Sequence, residues 1–315
     1  MPKIDAIVGV AGWEERFRLG IQRDLEIHRP SDVVIFAFTE YLKATEQHRA
    51  EIERLAKGMG TRYVEVQLPW GPVEVWNAIR DSFAAPEWVG RATLVDISTM
   101  PREVIYWAFS FLHSVEADIQ YVYYRPDRYA PEWVSRDTDR PRLVYQHSGI
   151  SEFGKETCLL LVSGFDTDRA AQLMQFFEPR EVLVGVQLGE QFDNQAKNAG
   201  RIEQRLHRRS DVKMFQLDAY SPDHGLAAIA DALKEKIGKY NVVAASLGPK
   251  PSAVALYRLH CSHRDIALAY APSRQLNLDY SSGIGEAVTG FLDFESCLID
   301  PFNGGKTGQT DDTAY

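Results

Sequence analysis

The sequence has few cysteines, and their spacing excludes two kinds of site. Only three occur in 315 residues, at Cys158, Cys261 and Cys297, and no two of them form a CxxC pair. Small secreted frameworks use even sets of paired cysteines, and zinc knuckles use closely spaced pairs. We therefore expect neither a disulfide framework nor a zinc site, and a reducing cytoplasm is the expected setting.

Long apolar runs and an excess of basic residues are also missing. No run approaches the roughly 18 apolar residues that cross a bilayer, so no membrane segment is expected. Residues 1–12 contain one lysine and a short apolar run interrupted by glycine, which is typical of a first strand and not of a signal peptide. The formal net charge of −9 argues against an extended nucleic-acid-binding surface and leaves room only for a local basic pocket.

The motifs of common cofactor and metal sites do not occur. The chain has no GxGxxG, no GxxxxGK[ST] and no HExxH, so neither a cofactor nor a bound metal is expected. The histidines are scattered, and His260 and His263 are interpreted as structural or surface residues of a helix. Asp223, His224 and Gly225 are interpreted as a turn and helix cap.

What the sequence does contain is an internal repeat. Segments of the second half lie over segments of the first in the same order: 158–169 over 5–16, 178–192 over 29–41, 212–218 over 64–69, and 266–272 over 119–126. Each half alternates apolar β-rich runs with amphipathic helical stretches, which predicts mostly parallel sheets of the Rossmann-like α/β class. We expect a tandem duplication of a Rossmann-like domain that forms an intramolecular pseudo-dimer.

The domain boundaries follow from the repeat and from changes in composition. They are a first repeat at 1–130, a linker at 131–156 that can hold a hairpin, a second repeat at 157–280, and a carboxyl-terminal helix and flexible tail at 281–315.

A Ser-x-x-Pro-basic turn occurs after an apolar strand in both halves, as DISTMPRE at 96–103 and as AASLGPKPS at 244–252. Ligands of open parallel sheets bind beyond the carboxyl ends of the strands, where helix N-termini attract anions. Ser98 and Thr99 are expected to cap the following helix. A basic residue in a first helical turn opposes the helix dipole unless an anion lies nearby. The predicted ligand contacts are Asp96, Ser98, Thr99, Arg102, Ser246, Gly248 and Lys250; plain helix capping without a ligand is the alternative.

Further candidates follow the first and second strands of each half. Gly12 and Arg16 in the first half correspond to Gly164 and Arg169 in the second, where glycine permits close approach and arginine can meet phosphate. A core aromatic followed by an ordinary helix start explains the same pattern. Glu40 and Glu190 recur after the second strand, either as ribose-binding acids or as solvated loop residues.

The turn at 96–102 resembles the motif of the CRISPR-associated Rossmann-fold sensor domains, the CARF family, in which a core strand leads into Asp/Asn-x-Thr-Gly-Gly-Thr-Lys ahead of a helix. The resemblance implies a cleft between two such domains that receives cyclic oligoadenylate or a related nucleotide, with both halves supplied by one chain. Proline replaces the last threonine in both copies, the first copy has no loop glycine, and the second has no leading acid. No additional helical domain with the RxxxxH motif of a HEPN ribonuclease is expected.

The leading functional hypothesis is a nucleotide-ligand-binding sensor or adaptor of a prokaryotic antiviral defence or regulatory system, with the ligand between the repeats and a protein partner or effector. A metal-independent nucleotide-cleaving enzyme of the phosphodiesterase or ring-nuclease type is one alternative, and a non-catalytic scaffold subunit is another. In the sequence alignment Asp96 faces Ala244 and Met100 faces Gly248. This asymmetry predicts a single working site or an unsymmetrical ligand.

Overall fold

The computed structural model describes residues 3–129, 135–164, 166–188, 212–292 and 302. These residues divide between two compact units. The first unit comprises Met1–Asp139 together with Ser273–Asp293, and the second comprises Arg140–Pro272 together with Phe294–Tyr315.

Strands and helices alternate along most of the described chain. The strands are β1 Ala6–Val10, β2 Asp32–Phe38, β3 Arg62–Leu68, β4 Ala92–Asp96, β5 Asp118–Tyr124, β6 Arg128–Tyr129, β7 Ser135–Thr138, β8 Arg142–Leu143, β9 Thr157–Val162, β10 Glu181–Gln187, β11 Val212–Leu217, β12 Asn241–Ser246, β13 Ala267–Tyr270, β14 Ser273–Leu276, β15 Ser281–Ser282 and β16 Ala287–Leu292. The α-helices are α1 Glu15–His28, α2 Leu42–Gly58, α3 Pro72–Phe83, α4 Arg102–Ser114, α5 Thr167–Phe177, α6 Leu226–Leu233 and α7 Pro251–Ser262. Short 3₁₀ turns lie at Thr39–Tyr41 and Pro86–Trp88.

Each unit contains a sheet of six strands, and the two sheets share one strand order. The first sheet runs β16-β5-β4-β1-β2-β3 and the second runs β8-β13-β12-β9-β10-β11. In both sheets five strands are parallel and one edge strand, β16 or β8, is antiparallel. The predicted Rossmann-like, largely parallel α/β class is confirmed, and the origin of the two sheets in a duplication stays a prediction.

The central strands are buried because helices cover parallel sheets on both faces. All five residues of β1 are buried, as are the last five residues of β12. Each unit has its own apolar core. In the first unit the core joins Ile7, Phe17, Ile21, Leu25 and Ile35, and in the second it joins Leu159, Leu161, Leu173, Val184 and Ala245.

The antiparallel edge strands come from unexpected parts of the chain. The segment after β5 supplies β8, which pairs with β13, and the segment after β13 supplies β16, which pairs with β5. The prediction of a short helix after residue 280 is therefore wrong for the residues up to 292, which the structure describes. Residues 287–292 alternate between more and less exposed positions and include Val288 and Thr289, which suits a half-buried strand.

The expected linker at 131–156 contains β7 and β8, and these two strands do not pair with each other as a hairpin. β7 pairs with β14, and β8 pairs with β13. The first unit also includes residues 273–293, so its boundary differs from the end at residue 130 that the sequence indicates.

Candidate functional site

The two repeated turns of each half meet at the carboxyl edge of its sheet. In the first sheet β1 lies between β2 and β4, so the strand order reverses between β1 and β4. In the second sheet the same reversal lies between β9 and β12. Open α/β sheets bind ligands at this switch point. We call the loops 11–14 and 97–101 the first switch-point loops, and the loops 163–164 and 247–250 the second switch-point loops.

In the first unit the structure brings Gly12 and Thr99 together. The Thr99 hydroxyl donates a hydrogen bond of 2.6 Å to the Val10 carbonyl oxygen. A Cβ added to Gly12 would lie 2.7 Å from Thr99 Cγ2, which is closer than atoms normally pack. Gly12 is therefore required because the threonine side chain occupies the space of its missing side chain.

Asp96 and Ser98 shape the loop from the inside. Both side chains are buried. The Asp96 carboxylate accepts a hydrogen bond of 2.8 Å from the Ser98 backbone N–H, and the Ser98 hydroxyl accepts one of 2.8 Å from the Tyr124 N–H. Neither Ser98 nor Thr99 is the N-cap residue of α4: Pro101 occupies that position, and its side chain makes no capping hydrogen bond.

Arg102 is the first residue of α4 and is partly exposed. Burial raises the pKa of Tyr280 above its usual value, and the positive charge of Arg102 acts in the opposite direction. Burial likewise raises the pKa of Tyr106, against the same opposing charge. Arg102 itself follows the loop at the carboxyl edge of the first sheet.

In the second unit the switch-point loops approach each other through their backbones. A Cβ on Gly164 would lie 1.9 Å from the Leu247 carbonyl oxygen, and a Cβ on Gly248 would lie 2.7 Å from the Ser163 carbonyl oxygen. No side chain fits at either position without movement of the backbone. The structure therefore brings Gly164 and Gly248 together.

Hydroxyl groups fix the loop before α7. The Ser252 hydroxyl donates to the Pro249 carbonyl oxygen at 2.6 Å and lies 2.6 Å from the Ser246 hydroxyl. Since Ser252 uses its proton on Pro249, Ser246 is the donor of the second bond. Lys250 follows at the N-cap position of α7 and is partly exposed.

The strand registers correct the alignment of the two turns. Asp96 pairs with Gly9, and Ala245 pairs with Leu161. Gly9 and Leu161 each stand three residues before the glycine of their loop. Asp96 is therefore equivalent to Ala245 and not to Ala244.

The shift of one residue also changes what the basic residues do. Lys250 occupies the N-cap of its helix, the position that Pro101 has in the first unit, whereas Arg102 is one residue further on. Ser98 and Ser246 are not equivalent, which explains why their hydroxyls make different hydrogen bonds.

Arg16 and Arg169 are buried structural residues. Arg16 forms an ion pair of 2.7 Å with Glu14, and Arg169 forms one of 3.0 Å with Asp166. Each also donates to a carbonyl oxygen near the end of the fifth strand, at Tyr124 or Ala271. Arg16 further donates to the hydroxyls of Tyr123 at 3.3 Å and Tyr280 at 2.8 Å. These partners account for both side chains without a phosphate.

The remaining predicted residues are not part of the switch-point loops. Glu40 is exposed in the 3₁₀ turn after β2. Glu190 lies outside the described residues. Asp223 accepts hydrogen bonds from the N–H groups of Gly225 and Ala227, so the predicted turn and helix cap are confirmed. His260 is buried, with Nδ1 2.7 Å from the Ile266 carbonyl oxygen, which agrees with a structural role.

Sequence reasoning missed two buried polar residues next to these loops. Asp24 on α1 accepts a hydrogen bond of 2.5 Å from the Tyr124 hydroxyl. Gln187 ends β10, and a Cβ on Gly248 would lie 2.8 Å from its Nε2 atom. A polar residue within an apolar pattern was the available signal for both.

Metal ligands do not cluster in the described ranges, where no group of three His, Cys, Asp or Glu side chains could hold an ion. Among the helices that the structure describes, none combines the length and apolar character needed to cross a membrane.

Comparisons with known proteins do not assign a family. No family model matches the chain, and no curated protein matches it. The chain is similar to a type III CRISPR defence DNA nuclease activated by cyclic oligoadenylate, with 12% identity and a TM-score of 0.47. This similarity covers 80% of this chain and 63% of the nuclease, so the chain spans less than two thirds of the nuclease's length.

Two other solved structures show weaker similarity. The N-domain of a bacterial malonyl-CoA reductase with NADP has 11% identity and a TM-score of 0.21, over 81% of this chain and 76% of that one. The type I 3-dehydroquinate dehydratase of Clostridium difficile has 9% identity and a TM-score of 0.18, over 81% and 92%. Similarities this low carry no argument about function, and we therefore argue function from the chain's own residues.

Proposed function

We propose that this chain binds a phosphorylated nucleotide at its switch-point loops and acts as a sensor or adaptor in a prokaryotic antiviral defence or regulatory system. Arg102 in the first unit and Lys250 in the second are the proposed phosphate contacts. One observation carries the proposal: in both sheets a partly exposed basic residue stands at the start of the helix after the fourth strand, at the switch point. This is the edge where open α/β sheets bind their ligands.

The electrostatics of the helix start support an anionic ligand. The N-terminus of a helix carries a partial positive charge, so a basic side chain there is unfavourable in the absence of an anion. The first turn of α7 contains no acidic residue, whereas the first turn of α4 contains Glu103, which is buried. A phosphate group would offset the charge of the Lys250 ammonium and of the helix N-terminus together.

The hydroxyl groups of the loops favour binding over cleavage by a protein nucleophile. The Thr99 hydroxyl donates a hydrogen bond to the Val10 carbonyl oxygen. The Ser246 hydroxyl donates to the Ser252 hydroxyl, which donates in turn to the Pro249 carbonyl oxygen. Protein groups engaged in this way hold the loops in position. Cleavage at this site would depend on attack by a hydroxyl group of the nucleotide itself, with the protein supplying position and charge.

Thermal shift measurements test the proposal. The full chain is heated with cyclic and linear oligoadenylates, ATP, NAD and ADP-ribose. A ligand at about 100 times its Kd stabilises the protein by about 2.7 kcal/mol, which corresponds to a shift of several degrees for domains of this size. We expect at least one nucleotide to give such a shift. We expect Arg102→Ala or Lys250→Ala to weaken its binding by about 10-fold or more, as a charged hydrogen bond of about 1.5–3 kcal/mol requires.

Two charge-matched variants serve as controls. Lys57→Ala and Lys239→Ala each remove an exposed lysine near the amino edge of a sheet, and both should bind as the wild type does. A flat panel, or equal loss in all four variants, would overturn the proposal. Mass spectrometry of the incubated nucleotide distinguishes sensing from cleavage. Recovery of intact nucleotide supports a sensor, whereas breakdown of the nucleotide would show that the protein is an enzyme.

A further inference from the structure

The side chain of Gln187 is almost completely enclosed at the carboxyl edge of the second sheet. It is the last residue of β10, and 4% of its surface is exposed. Its Oε1 atom accepts a hydrogen bond of 3.2 Å from the backbone N–H of Ala219. Because a backbone N–H can only donate, this contact fixes the orientation of the amide, and Nε2 must point the other way.

The Nε2 atom has no hydrogen-bond partner within the part of the chain that the structure describes. It is a donor with two protons, and a buried donor without an acceptor costs free energy because it has lost its water. Proteins keep few such groups, and each calls for an explanation. The position of this amide supports one explanation, namely that a ligand supplies the missing acceptor.

The amide faces the second switch-point loops. A Cβ on Gly248 would lie 2.8 Å from Nε2, so the absence of a side chain at Gly248 makes room for the amide. Lys250 stands two residues further on, at the start of α7. The first unit has no such arrangement. In the first sheet Phe36 pairs with Val10, and in the second sheet Gly185 pairs with Val162 in the corresponding register. Two residues further on, Phe38 therefore holds the position in the first unit that Gln187 holds in the second.

We propose that Gln187 is a ligand-binding residue of the second unit and that its Nε2 donates a hydrogen bond to a phosphate oxygen held between it and Lys250. This inference rests on the proposed function and deepens it, because it assigns the phosphate subsite to the second unit. A neutral amide and an ammonium group are both donors, so together they select an acceptor-only anionic group. Nε2 is covered in this structure, so binding of the anion requires the loop 247–250 to move away from it.

Pyrophosphate is a suitable probe because it presents phosphate oxygens without a base or sugar. In the wild-type full chain, we expect pyrophosphate to shift the side-chain amide resonances of Gln187 in a ¹H–¹⁵N spectrum. We also expect Gln187→Leu and Gln187→Glu to weaken pyrophosphate binding by at least 10-fold, measured by calorimetry. The carboxylate variant should bind more weakly than the leucine variant, because it removes the donors and repels the anion.

Gln216→Leu is the matched control, since it removes an exposed amide from the neighbouring strand β11. It should bind pyrophosphate as the wild type does. Pyrophosphate binding that leaves the Gln187 amide unshifted, or that persists in Gln187→Leu, would overturn the inference. The spectrum of the wild type decides the matter even if a Gln187 variant fails to fold.

The two proposals fail in different ways. If nucleotides bind and Lys250→Ala weakens them while Gln187 does not respond to pyrophosphate, the inference falls and the proposed function stands. If neither the nucleotides nor pyrophosphate bind, both fall together.

Discussion

At the scale of single residues, the first unit contains two carboxyl groups buried close together. Asp24 is 2% exposed, and one of its oxygens has no hydrogen-bond partner among the described residues. Asp96 lies nearby: its Oδ2 atom would be 3.1 Å from a Cβ on Gly20, one turn before Asp24. Burial raises the pKa of Asp24 well above its usual value, and the negative charge of Asp96 raises it further. The folded protein therefore favours the protonated form of Asp24 more than the unfolded chain does.

The raised pKa of Asp24 predicts how stability changes with pH. In the unfolded chain the carboxyl group of Asp24 ionises near pH 3.9. Each unit by which the folded pKa exceeds this value lowers the free energy of unfolding at high pH by about 1.4 kcal/mol. The contribution of Asp24 to stability is therefore full below this pH and falls as the pH rises towards the folded pKa. We expect Asp24→Asn to be more stable than the wild type at pH 7, by on the order of 1 kcal/mol.

Denaturant unfolding at pH 4 and pH 7 measures this difference, which should shrink towards pH 4. The asparagine can still accept the hydrogen bond from Tyr124. Asp118→Asn, at an exposed position, should show no such gain. A loss of stability in Asp24→Asn at pH 7 would mean that the buried acid is ionised in the folded protein.

Arg16 is expected to contribute to stability and not to ligand affinity. It is 2% exposed and pairs with Glu14, which is 7% exposed. Replacing it with methionine would leave the glutamate buried without its partner, and breaking a buried pair in this way costs about 3–5 kcal/mol. We expect Arg16→Met to lower the free energy of unfolding by this amount, measured by urea denaturation. A variant of wild-type stability that no longer binds nucleotide would restore Arg16 as a ligand contact.

At the scale of elements, Gly164 allows the loop after β9 to pack against the loop after β12 in the second unit. A Cβ there would meet the Leu247 carbonyl oxygen at 1.9 Å, and the backbone of one loop would have to move. We expect Gly164→Ala to destabilise the protein by about 3 kcal/mol, at the upper end of what overpacking costs. Thermal or urea unfolding measures the loss.

Gly58→Ala provides the contrast for this prediction. Gly58 ends α2, and nothing lies within 4 Å of its missing Cβ. Alanine at a helical glycine in open space should stabilise the protein by about 0.5–1 kcal/mol. Similar effects of the two substitutions would show that the loops are not packed against each other in solution.

The alternation of strands and helices was predictable because local patterns specify it. Apolar runs of strand length mark β1, β9 and β12, and the intervening amphipathic stretches mark the helices. β16 was missed because its six residues do not identify β5, which is distant in sequence, as their partner. Periodicity describes one segment and carries no information about its partner.

The candidate site was predictable in position but not in register. The letters of the two Ser-x-x-Pro-basic turns align with each other, whereas the pairing of Asp96 with Gly9 and of Ala245 with Leu161 places them one residue apart. Gln187 was missed because its proposed role depends on the position of its amide beside Gly248, which is visible only once the strands are assembled into a sheet.

At the scale of the whole molecule, the chain returns to its first sheet after it has formed the second. The first sheet is completed by β16, which follows the second sheet in sequence, whereas all six strands of the second sheet lie within residues 140–272. The returning segment also supplies Tyr280 and Ser281, whose hydroxyls bond to Arg16 and Glu14. The first unit therefore depends on a distant part of the chain, and the second does not depend on it for its strands.

This dependence predicts that the two units behave differently when they are separated. A fragment of residues 1–139 lacks β16, the antiparallel edge partner of β5, and two partners of its buried ion pair, so we expect it to unfold without a cooperative transition. A fragment of residues 140–272 retains its complete sheet and should unfold cooperatively. Circular dichroism during heating distinguishes the two.

Adding a peptide of residues 273–293 to the first fragment should restore the transition, because it supplies β14, β15 and β16 together with Tyr280 and Ser281. A peptide with Tyr280→Phe and Ser281→Ala should restore it less well, since strand pairing returns without the hydroxyl partners of Arg16 and Glu14. Cooperative unfolding of fragment 1–139 alone would show that the edge strand is an accessory to the first sheet. The fold would then be specified within each half of the chain, as the repeat by itself suggests.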